Sequence, residues 1–308
     1  MTFSSDDRNE LRPAGRGSEI GRSLDEVISV VHTKGGAGKS SLTTSLGYAL
    51  AAVGYRILVI DLDRQTGQSV GFGVRTPNTN SQGQPRDVGA VLRGDASLSE
   101  AIVTNVYPRL DLLPADEESL ALAENRLARD GIDGQIRLAT VLHESAKRWD
   151  VVLIDTPGRQ TGIVNVALAA STGVLVPAVP EGGPVAELRT VLNEVQTSAA
   201  LFGQLEIYGV IRMRIGGNSR YRQIAEEQSK EISASLGVPM FRNKVPEDAR
   251  FGESHLMREP IGSFAPSSRS AIAYRFIAEE LAQLRSWPKP NSGLIGPSEI
   301  ELIGTAHV

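Results

Sequence analysis

The chain contains no cysteine. That removes disulfides, thiolate nucleophiles, iron–sulfur clusters and cysteine-based zinc sites from consideration. Histidine is scarce too. His32, His143, His255 and His307 are dispersed, and no two have metal-ligand spacing. His32 closes an apolar segment and reads as a packing residue. The two tryptophans, Trp149 and Trp287, lie far apart and suggest no aromatic platform. No long apolar run is present. The longest, residues 163–179, is broken by Asn165, Ser171, Thr172, Gly173 and Pro177, and reads as a buried helix followed by a buried strand. Residues 1–25 are polar and charged, without the apolar stretch of a signal peptide, so a cytoplasmic protein is expected. Excess positive charge is also missing. With a formal net charge of -4, any nucleic-acid binding must use a local patch or a groove between two copies.

What is present is a globular composition. The 308 residues suffice for one large α/β domain or two small ones, and 41% hydrophobic content is enough for a real core. Apolar runs at 27–32, 56–60, 111–113, 151–154, 172–176 and 207–211 read as strands. Helical patterns at 41–53, 117–129, 133–147, 185–202, 221–236 and 268–284 fall between or after them. Residues 76–86 read as a polar loop. This alternation predicts a doubly wound, mostly parallel sheet with helices on both faces. The expected organisation is a tail at 1–25, one domain at 26–286 and a second tail at 287–308.

The central motif is Lys34-Gly35-Gly36-Ala37-Gly38-Lys39-Ser40-Ser41. It sits between an expected strand and an expected helix, the context that a P-loop requires. Glycines let the backbone curl so that several N–H groups converge on one phosphate, and the helix N-terminus adds partial positive charge. Lys39 would reach the β- and γ-phosphates, and the Ser40 hydroxyl would ligate Mg²⁺. Residues 151–155, Val-Val-Leu-Ile-Asp, form an apolar strand ending in an acid, as in a Walker B segment. Asp155 is thereby a candidate Mg²⁺-holding residue.

Thr33 stands where the strict P-loop pattern has glycine, and a second lysine, Lys34, opens the motif. In this the segment resembles the deviant Walker A signature of the ParA/MinD group of P-loop ATPases. The resemblance extends from about residue 27 to about 284. It includes Asp61-Leu62-Asp63, Thr156-Pro157-Gly158, Leu112–Ala115, the segment 176–181, the segment 245–250, Glu259-Pro260-Ile261 and the helix start at 265–271. It implies that Lys34 crosses to a partner copy's nucleotide, so that ATP binding and homodimerisation are one event. It implies a Mg²⁺-supporting role for Asp61 and a water-orienting role for Asp63. It also places Pro246, and less directly Met213, near the adenine. Two departures stand out: Arg64 where the group has proline, and Gly158 where it commonly has a second proline.

The same resemblance implies nonspecific binding of double-stranded DNA through basic residues of the C-terminal part, here Arg220, Arg222 and Arg250. Arg212 and Arg214 precede them, and Arg242 and Lys244 lie nearby in sequence. The competing reading is a solvated arginine face paired with Glu226, Glu227, Glu247 and Asp248. The implied function is a partition ATPase, slow on its own, that works with a ParB-like adaptor in a nucleoid-associated, cytoplasmic setting. A MinD-like membrane cycle is the alternative, but the C-terminal segment lacks a basic amphipathic helix. A non-DNA cargo or an ATP-gated scaffold with little hydrolysis stays open beside it. A nitrogenase-iron-protein role fails for want of cysteine.

Overall fold

A computed structural model describes residues 26–290, apart from 75–76, 146–147, 159–161, 180–183, 203–204 and 217–219, and without the side chains of 184–187, 199, 201–202 and 221–222. The chain begins with β1 (Glu26–Val30), the glycine-rich turn and α1 (Lys39–Val53), then β2 (Ile57–Asp61) and α2 (Gly67–Gly71). A small hairpin of β3 (Asn78–Thr79) and β4 (Pro85–Arg86) leads to α3 (Val88–Arg93), α4 (Leu98–Ala101), β5 (Val103–Tyr107) and β6 (Leu110–Leu113). Next come α5 (Glu117–Asp130), α6 (Ile132–Gln135), α7 (Arg137–Glu144), β7 (Val151–Asp155), α8 (Gly162–Ala170), β8 (Gly173–Ala178), α9 (Pro184–Phe202) and β9 (Glu206–Arg212). The remaining elements are α10 (Arg220–Ser235), α11 (Ala249–Met257), α12 (Ile261–Phe264) and α13 (Arg269–Leu284).

The main sheet has the order β5-β6-β2-β7-β1-β8-β9. Every pairing in it is parallel except that of β5 with β6. β2, β7 and β8 are buried along their whole length. A parallel sheet covered on both faces demands this, and their runs of Val, Ile and Leu supply it. On one face α1 and α13 pack together over a core that includes Leu42, Leu46, Leu50, Tyr274 and Ile277. On the other face, α3, α5, α7 and α8 cover β2, β6 and β7, while α8, α9 and α10 cover β8 and β9. Gly47 lets α1 approach β2 closely: a Cβ there would stand 3.1 Å from Val59 Cγ2. No helix among the described residues is long and apolar enough to cross a membrane.

Three local expectations are corrected. The polar segment 76–86 carries the β3–β4 hairpin, with the two strands paired antiparallel. The single helix expected over 133–147 is two, α6 and α7, broken at Ile136. Gly134 in α6 lies close against the end of α5, where a Cβ would be 2.4 Å from the Leu127 carbonyl oxygen. β5 was not anticipated. It is an edge strand with Asn105 at φ 53, irregular in register and half exposed, so it lacks the alternation that marks a strand in sequence.

At the opposite end of the sheet from the glycine-rich turn, packing runs past α13. Trp287 is buried, edge-on to Tyr55 with ring centroids 5.5 Å apart, and its Nε1 donates to Glu26 Oε1 at 3.2 Å. Glu26 also accepts from the Tyr208 and Thr172 hydroxyls and from Arg285.

Candidate functional site

β1 ends inside the sheet, and the chain turns directly into α1. Gly36 and Gly38 have φ of 78° and 86°, backbone that glycine adopts without steric cost. Gly38 occupies the N-cap of α1, and no side chain caps the helix there. Its first N–H groups are thus left for an anion rather than for the protein. Ala37 is fully buried beneath the turn, whereas Gly35 and Gly36 are exposed. Lys39 is buried, and its ammonium donates to the Lys34 carbonyl at 3.3 Å. Burial lowers the Lys39 pKa, and Asp155 and Asp63 oppose that shift. His32 Nδ1 accepts from the Lys34 N–H at 3.1 Å. Burial, then Lys39 and Lys34, push His32 down to about 4, so it is neutral near pH 7.

Asp61 and Asp155 end adjacent strands in register with each other. Both are fully buried. Burial raises both pKa values, that of Asp155 to about 6, and at Asp61 the Asp155 charge adds to the effect. The Ser40 hydroxyl, the Gln68 amide and the Lys39 ammonium work against the rise at Asp155. The two acids differ in how they are satisfied. Asp61 accepts from backbone N–H groups, of Asp63 at 3.1 Å, Gln68 at 3.0 Å and Ser69 at 3.4 Å, and so fastens the loop between β2 and α2. Asp155 Oδ2 accepts from Gln68 Nε2 at 2.9 Å, while its Oδ1 is buried with no hydrogen-bond partner among the described residues. Asp63 is half-buried at the start of this loop and accepts from the Gln65 N–H at 3.0 Å. The structure thus gathers Lys39, Ser40, Asp61, Asp63 and Asp155 at the carboxyl ends of β1, β2 and β7, where open α/β sheets bind ligands.

Gln68 escaped the sequence reading. Its partners are 24, 28 and 87 residues away, so no local pattern announces it. Gly67 beside it is a clearer signal: a Cβ there would stand 2.9 Å from Ser40 Oγ. Gly158 is similar, since a Cβ would come within 3.0 Å of the Gly35 nitrogen. Glycine at 158 therefore lets the segment after β7 lie against the phosphate turn. Arg64 extends to the surface, 3.8 Å from Glu117, and does not intrude on the site.

Met213 is buried after β9, and its Cε would be 3.4 Å from a Cβ on Gly38, so it packs on the turn itself. Pro246 is half-buried and pairs by a parallel bridge with Ile215. The arginines divide. Arg212 is buried in an ion pair with Glu226 and donates to the Phe241 and Arg242 carbonyls, so it is structural. Lys244 shares Glu226 at 3.2 Å. Arg212 therefore fits neither a solvated arginine face nor a nucleic-acid surface, while Lys244 is an exposed partner of Glu226. Arg220 is exposed at the start of α10, and Arg250 is exposed at the start of α11, 3.7 Å from Glu253. The Arg222 side chain lies outside the described residues.

The AAA_31 family, described as an AAA domain, matches residues 25–203. The chromosome-partitioning ATPase Soj of Thermus thermophilus is 31% identical over 82% of this chain and 94% of its own length. The chain belongs to the ParA/MinD family. The chromosome partitioning protein ParA of Caulobacter vibrioides is 27% identical over 83% of this chain and 93% of its own. Among solved structures, MinD from Pyrococcus horikoshii complexed with Mg-ADP superposes with a TM-score of 0.67 at 26% identity, covering 84% of this chain and 96% of that one. The ParA/MinD assignment accounts for the sheet order and for the P-loop at the end of β1. It makes the chain a P-loop ATPase in type.

Proposed function

We propose that this protein binds ATP with magnesium and pairs with a second copy across the two nucleotides. In that state it holds double-stranded DNA without sequence preference. A ParB-like adaptor then triggers slow hydrolysis and resets the cycle. The working unit is one domain that begins at about residue 26 and runs past the expected boundary at 286 to include the buried Trp287, in a nucleoid-associated, cytoplasmic setting. The observation that carries the reading is Asp155 Oδ1, a buried carboxylate oxygen without a hydrogen-bond partner among the described residues, next to Ser40 and Lys39 at an uncapped helix N-terminus. An unpaired buried carboxylate is costly, and a cation removes the cost. The donor set is all oxygen, as magnesium prefers.

Residues 34–41 would surround the phosphates, with Ser40 and Asp155 holding magnesium and Asp61 supporting them from behind. Magnesium would neutralise charge developing on the phosphoryl oxygens. Lys39 and the partner's equivalent of Lys34 would add to that neutralisation, which is most of what phosphoryl transfer needs. Asp63 would orient the attacking water. Pro246 would flank the base, and Met213, packed on Gly38, would support the turn. Arg220, Arg222 and Arg250 would meet DNA phosphates. The relatives named for chromosome partitioning support the DNA reading.

The deciding experiment compares the wild type with Lys34→Ala by light scattering and DNA co-sedimentation, with no nucleotide, ADP or ATP–Mg²⁺. Dimerisation and DNA retention that require both ATP and Lys34 are expected. ATP-driven dimerisation without DNA retention would move the cargo surface elsewhere. Retention indifferent to nucleotide would sink the switch.

A further inference from the structure

Gln68 is fully buried, and each polar group it carries is engaged at the site. Its Oε1 accepts from the Thr44 hydroxyl on α1 at 2.8 Å. Its Nε2 donates to the Ser40 carbonyl at 3.0 Å and to Asp155 Oδ2 at 2.9 Å. Its backbone N–H donates to Asp61 Oδ2 at 3.0 Å. One side chain on α2 therefore joins the first turn of the phosphate helix to the acid ending β7, and its backbone joins the acid ending β2.

An amide suits this place in a way that no other side chain of its length does. It accepts from a hydroxyl while donating twice, to a carbonyl and to a carboxylate. Glutamate would set two carboxylates against each other, and methionine would fill the volume without donating. Because Nε2 takes Oδ2, Asp155 is left with Oδ1 as its one uncommitted oxygen. Partners behind a metal-holding carboxylate fix its rotation and hence its affinity for the ion. We propose that Gln68 is the positioning residue of the magnesium site: it locks the Asp155 carboxylate and the Ser40 turn into one geometry and ties that geometry to the loop carrying Asp63. The proposal rests on the ATP–magnesium reading of the same site.

The test is magnesium titration of the full chain with a fluorescent ATP analogue, beside the same analogue in EDTA, for wild type, Gln68→Met and Gln68→Asn. Thermal unfolding without nucleotide is followed in parallel. Removal of the amide in Gln68→Met is expected to weaken the magnesium dependence about 10–100-fold, the usual loss when a partner behind a metal ligand is removed. Binding in EDTA, which still loses the hold of Gln68 on the Ser40 carbonyl, should weaken clearly less than binding with magnesium. Gln68→Asn, which keeps the amide on a shorter stem, should fall between wild type and Gln68→Met. Equal losses with and without magnesium would overturn the proposal and leave Gln68 a packing residue. An unchanged magnesium titration in Gln68→Met would overturn it as well. A wild type that binds the analogue with no magnesium dependence would overturn the functional reading and the proposal together.

Discussion

His32 shows how the phosphate site acts on the stability of the chain that forms it. The ring is buried at the end of β1, takes the Lys34 N–H on Nδ1, and faces Lys39 and Lys34, all of which favour the neutral form. Its pKa falls from 6.5 to about 4 on folding. Between those values the unfolded chain holds a proton that the folded chain does not, so stability is lost as pH falls below 6.5. By pH 5 the loss from this group is about 2 kcal/mol. Asp155 and Asp61 have raised pKa values and contribute with the opposite sign, which requires a comparison with a variant. His32→Asn keeps an acceptor near the Nδ1 position and does not titrate. Urea unfolding of nucleotide-free protein at about pH 7.5 and about pH 5 should show a larger acid loss for wild type than for His32→Asn, by roughly 2 kcal/mol. Equal acid losses would mean that His32 is protonated in the fold.

At the scale of elements, what the sequence disclosed follows from which contacts are local. β1, the glycine turn and α1 were legible because strand, turn and helix chemistry lie within 28 consecutive residues. β2 and β7 were legible because two-sided burial leaves unbroken apolar runs ending in Asp61 and Asp155. β5 and Gln68 were not, because each depends on a partner distant in sequence or packed from another element. Trp287 belongs to the same group. Residues just after α13 read as a proline-rich tail, yet Trp287 packs on Tyr55 and donates to Glu26, joining the segment after α13 to the first residue of β1. Trp287→Ala should lower unfolding free energy by about 3–5 kcal/mol, the usual cost of emptying a buried aromatic site. Trp287→Phe, which keeps one aromatic ring but loses the N–H donor and part of the indole's volume, should cost less, roughly 1–3 kcal/mol. Urea titration distinguishes them, and an Ala variant as stable as wild type would show that the segment after α13 docks loosely.

For the whole molecule, the charge balance is what makes a nucleotide-gated DNA switch physically reasonable. A chain of net charge -4 is repelled by DNA at long range, so one copy with a few exposed arginines should bind weakly. The sequence suggested a broader patch, but Arg212 and Lys244 are committed to Glu226, which leaves fewer cations for phosphate. Arg250 is exposed, and among the described residues its side chain pairs with Glu253 alone, at 3.7 Å, a surface pair worth little. If two copies pair as proposed, doubling the surface matters more than any single residue. If each copy places Arg250 on one phosphate, Arg250→Ala removes two contacts per dimer. The slope of log affinity against log salt should shrink by about 2, since each phosphate neutralised contributes about 0.9. Fluorescence anisotropy with a random duplex and ATP–Mg²⁺, across about 50–200 mM salt, reads this directly. Arg220→Ala should behave in the same way, while ATP binding by both variants stays at the wild-type level. A parallel salt slope with lower affinity would point to altered dimer geometry instead of a lost phosphate contact. An unchanged slope and affinity would place the DNA surface away from the starts of α10 and α11.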